Sequence, residues 1–372
     1  MQNKIKTLQK VIVSVTNDLN TDQRVHKVCT SLLKMNFEVL LVGRKLPNSL
    51  PLKRNYQTHR IKLFFNIGFL FYAEYNFRLF FYLLFKKKHI LLSNDLDTLL
   101  ANYLVSNVQN KKLVYDSHEL FTEVPELVNR PKTQKIWLKL EKWILPKLKN
   151  TYTVCQSIAN YYNKRYQTNF KVVRNVPVYV KDTPKTHDNS EFRIQNSEFL
   201  IIYQGALNIG RGLELMIDTM AYLDHCKLII VGDGDISEQL KILVKEKKLA
   251  AKVVFLGRKT PSELKQITPM ANLGISIEED LGLNYRYALP NKIFDYIHAN
   301  VAVLVSNLPE MKQIILDYHI GEVIKKRTPQ AIANQIELIL KNTHFKDVNS
   351  FASAKLDLQW QSEEKVLQSI FR

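Results

Sequence analysis

The sequence predicts an α/β protein built from two doubly wound parallel-sheet domains. Short, continuous apolar runs alternate with stretches of helical periodicity, as expected for parallel strands joined by crossover helices. This alternation stops at a polar segment without periodicity, Val180–Glu198, and then starts again, so this segment is either an interdomain connection or an exposed hairpin within one. The length of 372 residues fits two domains of ordinary size better than one core.

The composition is that of a globular protein with an anionic partner. Hydrophobic residues make up 46% of the chain and charged residues 24%. The net charge of +18 points to nucleic acid, a phosphorylated substrate or a membrane surface. Three cysteines lie far apart, without disulfide or metal-ligand spacing, and fit a reducing cytoplasm: Cys29, Cys155 and Cys226. The first residues lack the apolar core of a signal peptide, so we expect a cytoplasmic protein.

The first strand–helix unit illustrates the pattern. The run VIVSV (Val11–Val15) is continuously apolar, as in a strand that is buried on both faces. Apolar residues at helical spacing then predict the buried face of a helix: Val25, Val28, Cys29, Leu32 and Leu33. Thr21 is the expected N-cap, with Asp22 in the first turn. The polar loop before the helix either lines a ligand cleft or is a solvated cap.

Similar apolar runs predict the remaining strands. In the first half these are Glu38–Gly43, His89–Asp95, Lys112–Glu119 and Thr151–Cys155, with helices at Leu96–Val108 and Thr133–Leu148. In the second half they are Phe199–Gly205, Lys227–Gly234, Lys252–Arg258, Leu273–Asp280 and Val301–Asn307. A parallel sheet with crossover helices follows for each half. The two halves share no repeated sequence, so their similarity is one of architecture.

The segment Ile61–His89 is rich in Phe, Tyr and Leu beside the basic run Lys86–Lys88. Glu74 and Arg78 interrupt it, which leaves no stretch long enough to cross a bilayer. Two interpretations stay open: a helix packed between the sheet and its neighbours, or a helix that also lies on an anionic membrane. Aromatic stripes at helical spacing are usually core, which favours packing.

Glycines and charged residues recur where strands of the second half end. Gly205, Gly210, Arg211 and Gly212 lie between a predicted strand and a helix, where backbone N–H groups and one cation can bind a diphosphate. The simpler alternative is a glycine turn with a surface arginine. The segments VGDGD and LGRKTPSEL end two further strands in the same way, which strengthens the diphosphate interpretation.

Six motifs follow one another along the chain: TNDLNTDQRVHKV, YDSHEL, NIGRGLELMI, IIVGDGD, VVFLGR and LPNKIFDYIHANVAVLVS. In their order and spacing they resemble the family 4 (group 1) retaining glycosyltransferases of the GT-B fold, over nearly the whole chain. The resemblance implies two Rossmann-like domains that face a central cleft. Residues 1–178 would form the acceptor-side domain, 179–198 a linker or hairpin, 199–354 the nucleotide-sugar domain, and 355–372 a helix crossing back to the N-terminal domain.

The resemblance also implies roles for residues of the N-terminal domain. The loop Asn17–Arg24 stands where other members carry a double-glycine loop, and would lie close to the donor phosphates. The residues of this loop expected to act there are Asp22 and Arg24. His118 matches the histidine that this family places beside the transferred sugar, with Glu119 adjacent.

In the C-terminal domain, Arg211 matches a cation on the diphosphate, where it would neutralise charge that builds on the leaving group. The second cation of the family's pair is open between Arg258 and Lys292. The family commonly carries two glutamates separated by seven residues. Asp295 stands at the second, which contacts the ribose hydroxyls, and Glu278 or Glu279 is a rough match to the first. The other implied donor residues are Gly212, Gly232, Asp233, Gly234 and Gly282.

The implied reaction moves a sugar from a nucleotide-diphospho-sugar to a glycan or lipid-linked acceptor with retention, without metal or cofactor. The implied setting is bacterial cell-envelope polysaccharide biosynthesis, in the cytoplasm or at the inner face of the cytoplasmic membrane. The acidic pair Asp95 and Asp97 imitates a metal motif of another glycosyltransferase fold, but its position in the N-terminal domain argues against that role. His26 and Cys29 lack further ligands, and we interpret them as a helix surface residue and a core thiol.

Three alternatives stay open. A nucleotide-sugar epimerase of the same fold would convert a donor without an acceptor. The net charge suggests a nucleic-acid-binding protein, but no basic helix with base-reading spacing and no aromatic RNA motif stands out, so we expect no nucleic-acid partner. A donor-binding protein without catalysis is compatible with the departure at Asp295.

Overall fold

The computed structural model describes residues 8–20, 22–179 and 199–372. The chain divides into two compact units, which we call the N-terminal unit (Met1–Arg174 with Glu363–Arg372) and the C-terminal unit (Asn175–Ser362). Thr21 and residues 180–198, nearly all of the predicted connection, lie outside the described residues.

The N-terminal unit contains a seven-stranded sheet in which every pairing is parallel, with the order β3-β2-β1-β4-β5-β6-β7. Its strands are β1 (Lys10–Ser14), β2 (Glu38–Lys45), β3 (Gln57–Lys62), β4 (Ile90–Asn94), β5 (Lys112–Ser117), β6 (Asn150–Thr153) and β7 (Phe170–Val172). Its helices are α1 (Gln23–Lys34), α2 (Gly68–Phe85), α3 (Asp95–Gln109), α4 (Pro125–Val128), α5 (Pro131–Ile144) and α6 (Gln156–Tyr166).

The C-terminal unit contains a six-stranded sheet, also parallel at every pairing, with the order β10-β9-β8-β11-β12-β13. The strands are β8 (Phe199–Gln204), β9 (Cys226–Val231), β10 (Val253–Gly257), β11 (Leu273–Ser276), β12 (Ala302–Val305) and β13 (Gly321–Val323). The helices are α7 (Leu213–Thr219), α8 (Ser237–Glu246), α9 (Pro261–Ile267), α10 (Leu283–Arg286), α11 (Asn291–His298), α12 (Pro309–Tyr318), α13 (Pro329–Lys341) and α14 (Ala352–Asp357). The last helix, α15 (Trp360–Phe371), belongs to the N-terminal unit from Glu363 onward.

The predicted fold class of two Rossmann-like parallel-sheet domains is confirmed. In each sheet the strand order reverses at one point, between β1 and β4 in the first and between β8 and β11 in the second. Ligands of doubly wound sheets bind beyond the carboxyl ends of the strands at such a point. The loops after these four strands are therefore where a site is expected.

All ten predicted strands are present, and three more were missed: β3, β7 and β13. The interior strands are recognisable because helices cover both faces, so runs such as Val11–Val13 are fully buried. The strand β3 lies at a sheet edge and reads QTHRIK, without an apolar run. The other two, β7 and β13, have three residues each, too few for a pattern.

The start of α1 differs from the prediction. Asp22, expected in the first turn after a cap at Thr21, is itself the N-cap: its backbone is extended and its Oδ1 accepts the N–H of Val25 at 2.9 Å. His26 is half-buried, with Nδ1 2.8 Å from the Tyr56 hydroxyl, and is therefore not a simple surface residue. Cys29 is a fully buried thiol, as predicted.

The C-terminal residues form two helices, α14 and α15, where one was predicted over 355–372. Residues Glu363–Arg372 belong to the N-terminal unit. There Glu363 accepts the backbone N–H of Arg174 at 2.9 Å and its Nε at 2.7 Å. Glu364 accepts from the hydroxyl of Ser31 at 2.6 Å. Polar contacts thus join the last residues of the chain to α1 and to the segment after β7. Among the described residues, no helix is both long and apolar enough to cross a membrane.

Candidate functional site

His118 is the centre of an ionic cluster in the N-terminal unit. It follows the last residue of β5, and Asp95 follows the last residue of the neighbouring strand β4. The His118 N–H donates to Asp95 Oδ1 at 2.8 Å, and the ring Nδ1 lies 3.3 Å from Asp95 Oδ2. A single carboxylate thus holds both the backbone and the ring of His118.

The other ring nitrogen faces a second carboxylate. His118 Nε2 lies 3.2 Å from Asp116 Oδ2 and 3.2 Å from Asn94 Oδ1. The side chain of Asp116 is fully buried, whereas that of His118 is 22% exposed. The imidazole is therefore fixed from two sides and still reaches the surface.

The two carboxylates decide the charge of His118. Burial lowers the pKa of the imidazole, but Asp95 and Asp116 outweigh it and raise the pKa to about 9. Burial raises the pKa of Asp95 to about 6 in spite of the attraction of His118. At neutral pH the cluster therefore holds a protonated imidazole, which can donate a hydrogen bond but cannot accept a proton.

Arg24 lies behind this cluster. Its guanidinium donates to Asp116 through Nε at 3.0 Å and Nη2 at 2.7 Å, and Nη1 donates to the Val173 carbonyl at 2.8 Å. Burial would raise the pKa of Asp116, but Arg24 and His118 hold it below its usual value. Arg24 is only 4% exposed, which contradicts the expectation that it lines the donor phosphates. Its guanidinium instead binds both carboxylate oxygens of Asp116.

The remaining predicted residues of the N-terminal unit have structural partners. The carboxylate of Asp22 caps α1 through Oδ1 and accepts from the Asn17 amide at 2.7 Å through Oδ2. Glu119 is exposed beside His118, and its backbone carbonyl accepts from the hydroxyl of Ser117 at 2.7 Å. Only Glu119, of these two predicted residues, has its side chain exposed.

Asp95 was missed as a site residue because its motif was considered only as a metal motif. Its backbone has φ of 56°, a left-handed conformation that is uncommon outside glycine and often marks a functional position. Two residues on, the buried carboxylate of Asp97 accepts from the Thr16 hydroxyl at 2.6 Å, and burial raises its pKa to about 7. Among residues 8–20, 22–179 and 199–372, no group of three or more His, Cys, Asp or Glu side chains could hold a metal ion.

A second ionic cluster lies in the C-terminal unit, where β8 and β11 end. The buried carboxylate of Glu278, two residues after β11, accepts from Lys292 Nζ at 2.8 Å and from the Ser276 hydroxyl at 2.8 Å. Arg211, from the loop after β8, has Nη1 3.9 Å from the same Oε1 that binds Lys292. Burial would raise the pKa of Glu278, but Lys292 keeps it below its usual value.

The two cations differ in exposure. The side chain of Lys292 is 8% exposed, with Nζ 4.0 Å from the centre of the Tyr203 ring. The side chain of Arg211 is 30% exposed, and its guanidinium carbon lies 6.0 Å from the centre of the Tyr285 ring. One carboxylate therefore faces two cations, and the more exposed of them can also reach a ligand.

Glycines bring the loops of this cluster together. Gly232 has φ of 142°, and a Cβ there would lie 1.8 Å from the carbonyl oxygen of Gly205. Gly212 has φ of 72°, and its Cβ would lie 2.3 Å from the carbonyl oxygen of Ile277. Any side chain at either position would push two loops apart. Of the predicted glycines, Gly212 and Gly232 are therefore required by the contact between the loops.

Arg258 forms a separate pair. Its Nε lies 3.6 Å from Asp233 Oδ2, and its side chain is 80% exposed. Asp233 Oδ1 also accepts from the Ser237 hydroxyl at 2.7 Å and from the Gly234 N–H at 2.9 Å, which lowers the pKa of Asp233. Of the two candidates for the second cation, it is Lys292 that shares a carboxylate with Arg211.

Asp295 lies one turn beyond Lys292 on α11 and is half-buried. Its Oδ2 accepts from the side-chain amide of Gln204, at the end of β8, at 2.9 Å. Gln204 in turn accepts from the Thr268 hydroxyl at 2.8 Å. Gly282 is exposed, with φ of 136°, and is the N-cap of α10.

Arg327 was missed, and no signal in the sequence marks it. It lies after β13, yet its Nη2 donates to the Ile277 carbonyl at 2.7 Å and its Nη1 donates to the Ser306 hydroxyl at 3.0 Å. Its Nη2 is also 3.8 Å from Glu279 Oε1. Arg327 therefore supports the loop that carries Glu278 from a position far along the chain.

Residues 184–355 match the model of the family Glycosyl transferases group 1. The matched residues make up most of the C-terminal unit, Asn175–Ser362. The predicted donor residues, from Arg211 to Asp295, all fall within the matched residues. The cluster around His118 lies outside the matched residues.

Two curated relatives share part of the chain. One is the GalNAc-alpha-(1->4)-GalNAc-alpha-(1->3)-diNAcBac-PP-undecaprenol alpha-1,4-N-acetyl-D-galactosaminyltransferase of Campylobacter jejuni, 25% identical over 219 residues, which are 57% of this chain and 56% of that protein. The other is the uncharacterized glycosyltransferase MJ1607 of Methanocaldococcus jannaschii, 26% identical over 159 residues, which are 41% of this chain and 39% of that protein. The matches thus span well under two thirds of either relative.

Solved structures are similar over the whole chain. Sucrose-phosphate synthase from Thermosynechococcus elongatus has a TM-score of 0.79 at 15% identity, covering 98% of both chains. Anabaena HepE in complex with UDP and glucose has a TM-score of 0.73 at 14% identity, covering 97% of this chain and 98% of that one. WaaG, a glycosyltransferase involved in lipopolysaccharide biosynthesis, has a TM-score of 0.67 at 14% identity, covering 97% and 99%. At these identities the likeness is one of fold, that of two Rossmann-like domains as in the GT-B fold.

Proposed function

We propose that this protein is a retaining, metal-independent glycosyltransferase of family 4 that transfers a sugar from a nucleotide-diphospho-sugar to a glycan or lipid-linked acceptor in cell-envelope polysaccharide biosynthesis. The observation that carries this proposal is the pairing of Arg211 and Lys292 with the single carboxylate of Glu278. This cluster lies where β8 and β11 end, at the reversal of strand order and within the residues that match the group 1 glycosyl transferase model.

In this proposal the diphosphate binds to Arg211 and Lys292. Arg211 is 30% exposed and 3.9 Å from Glu278, so it can turn to an anion without breaking a close ion pair. Lys292 keeps its ion pair with Glu278 and adds positive electrostatic potential at the diphosphate site. The two cations oppose the charge that develops on the leaving diphosphate, which is the role a metal ion has in other transferases. Asp295 would accept hydrogen bonds from the ribose hydroxyls.

His118 then acts on the sugar as a donor. Because its pKa is raised to about 9, it is protonated at neutral pH and donates a hydrogen bond to a sugar hydroxyl. Asp95 and Asp116 are both engaged with the His118 ring, and we assign neither as a nucleophile. The bond from the anomeric carbon to phosphate breaks, the acceptor oxygen bonds to that carbon on the same face, and the departing phosphate oxygen takes the acceptor proton.

Two of the similar proteins support the choice of substrates. The Campylobacter jejuni relative is named for an undecaprenol-linked acceptor and an N-acetylgalactosaminyl transfer. The HepE structure holds UDP and glucose. We therefore infer a UDP-sugar as the first donor to test and a lipid-linked glycan as the first acceptor.

Thermal unfolding with a panel of UDP-, GDP-, ADP-, TDP- and CMP-sugars tests the donor site. A ligand that binds only the folded state raises the melting temperature, and we expect this for one nucleotide class, equally with magnesium and with EDTA. Arg211→Ala should remove the shift. Product analysis with an acceptor should show a glycoside of retained configuration. Conversion of the donor's sugar in the absence of an acceptor would indicate an epimerase. If no nucleotide-sugar changed the melting temperature and the protein bound nucleic acid tightly in a salt-dependent way, the proposal would be contradicted.

A further inference from the structure

The N-terminal unit exposes a group of large apolar side chains that the donor site does not use. They lie in the loop before α2 and on one side of that helix, and their exposed fractions run from 42% to 86%. We call them the aromatic face: Phe64, Phe65, Ile67, Phe69, Leu70, Phe77, Phe81 and Phe85. Monomeric globular proteins rarely expose a continuous apolar patch of this kind unless it binds something.

The helix α2 has a second, ordinary apolar face. Phe71, Tyr75, Leu79 and Leu83 are buried, at a spacing of four residues that places them on one side. The Tyr75 hydroxyl donates to the Val15 carbonyl at the end of β1. The packed-helix interpretation of this segment thus accounts for one side of α2. The aromatic face lies on the other side and needs its own explanation.

Ionic contacts hold the aromatic face outward. The carboxylate of Glu74 accepts the N–H groups of Phe64 and Phe65, both at 2.9 Å, and pairs with Arg78 Nε at 2.7 Å. The guanidinium of Arg78 lies 5.0 Å from the centre of the Phe64 ring. Arg44 donates to the Asn66 carbonyl at 3.1 Å. The loop is therefore fixed in a conformation that keeps Phe64 83% exposed.

The surroundings of the face are strongly basic. Residues 44–88 contain ten Lys and Arg residues and one acidic residue, Glu74, which is paired with Arg78. Lys86 and Lys87, at the end of α2, are exposed. Lys88 is buried and donates to the Leu83 and Lys86 carbonyls, so only two residues of the basic run Lys86–Lys88 can reach an external anion.

We propose that the aromatic face docks on an anionic lipid bilayer, with the Phe rings at the headgroup–acyl boundary and the lysines on the lipid phosphates. A second copy of the chain fits less well, because a two-fold interface here would bring two strongly basic segments together. The inference goes beyond the proposed transfer reaction and does not depend on donor binding.

The test is co-sedimentation of the full-length protein with vesicles of phosphatidylcholine, with and without phosphatidylglycerol. We expect binding to the anionic vesicles, weaker at high salt. The variant Phe64→Ser/Ile67→Ser should lower the partition coefficient roughly tenfold to hundredfold, because two largely exposed apolar side chains leave the interface. Lys86→Gln/Lys87→Gln should lower it roughly tenfold at low salt.

Leu338→Ser provides the matched control, since Leu338 is 67% exposed but lies on α13 in the other unit. It should leave vesicle binding unchanged. Equal binding to both vesicle types, or no loss in Phe64→Ser/Ile67→Ser, would overturn the proposal. So would a change in oligomeric state on size exclusion with unchanged vesicle binding, which would identify a second copy as the occupant. The donor-induced melting shift should persist in both face variants, so failure here is distinct from failure of the transferase proposal.

Discussion

The two ionic clusters of this protein differ in their balance of charge. Around His118, two cations (Arg24 and His118) meet two carboxylates (Asp95 and Asp116). Around Glu278, two cations meet one carboxylate. A balanced cluster satisfies itself and fixes the direction of a side chain, whereas a cluster with surplus positive charge is completed by an anionic ligand. This difference in charge supports the proposed roles, orientation of a side chain in the first cluster and anion binding in the second.

The clusters also differ in which member is exposed. In the first, the Arg24–Asp116 pair is buried and His118 is the exposed tip. In the second, the Lys292–Glu278 pair is buried and Arg211 is exposed. Each cluster thus has a buried ion pair as support and one cationic group that reaches outward. Substitution of Arg24, of His118 and of Arg211 should therefore have different effects.

Breaking the buried Arg24–Asp116 ion pair should have the largest effect, and it should act on stability. Arg24→Met leaves the carboxylate of Asp116 buried without its bidentate partner, which should lower the free energy of unfolding by about 3–5 kcal/mol. Urea unfolding measures this. Asp116→Asn on top of Arg24→Met should restore part of the loss, and Arg258→Met, at an exposed pair, should cost less than about 0.5 kcal/mol. Equal losses of unfolding free energy in Arg24→Met and Arg258→Met would show that the buried ion pair matters no more than the exposed one.

Loss of the exposed His118 side chain should lower the rate of sugar transfer rather than the affinity for the nucleotide. His118→Ala removes a donor that we assign to the sugar in the transition state, and should slow transfer roughly 10²- to 10³-fold with nucleotide binding largely unchanged. Single-turnover assays beside titration calorimetry separate the two quantities. An unchanged rate would remove His118 from the mechanism.

Loss of the exposed Arg211 side chain should weaken binding of the donor. Arg211→Ala removes charge-assisted hydrogen bonds to the diphosphate, and should weaken donor binding roughly tenfold to hundredfold. Arg258→Ala is the matched control, because Arg258 pairs with Asp233 and not with Glu278. Similar losses in both variants, measured by calorimetry with the nucleoside diphosphate, would show that the anion is not confined to the Arg211 cluster.

The smallest effect should be a shift in pH dependence. With the pKa of His118 raised to about 9, transfer should decline as pH rises through that value. The ion pairs of His118 stabilise the fold fully below its ordinary pKa of about 6.5, and this contribution is lost as pH rises through the folded value. Asp95→Asn removes one of the two carboxylates that raise the pKa of His118. The decline in transfer rate should therefore move to lower pH. An unmoved profile would mean that Asp95 does not set the protonation of His118.

Much of the fold is local information in the sequence. Buried strands such as VIVSV and the helical spacing around Val25 are set by neighbouring residues, so period and apolarity alone predict them. The strand β3 was missed because a polar edge strand is stabilised by pairing with β2, and its own residues carry no such pattern. Arg211 and the glycines near it were predictable because a strand–loop–helix junction has a local signature.

The pairings within each site depend on the tertiary structure. Asp95 and His118 meet because β4 and β5 are neighbours in the sheet, which places the ends of two separate runs side by side. Arg24 was recognisable as a charged residue, but only the fold shows that it is buried against Asp116. Arg327 reaches the Ile277 carbonyl from 50 residues away, a contact that no local pattern encodes. The sequence by itself determined which residues carry charge at the strand ends, and the packing of parallel strands decided which of them meet, because neighbours in a sheet are distant along the chain.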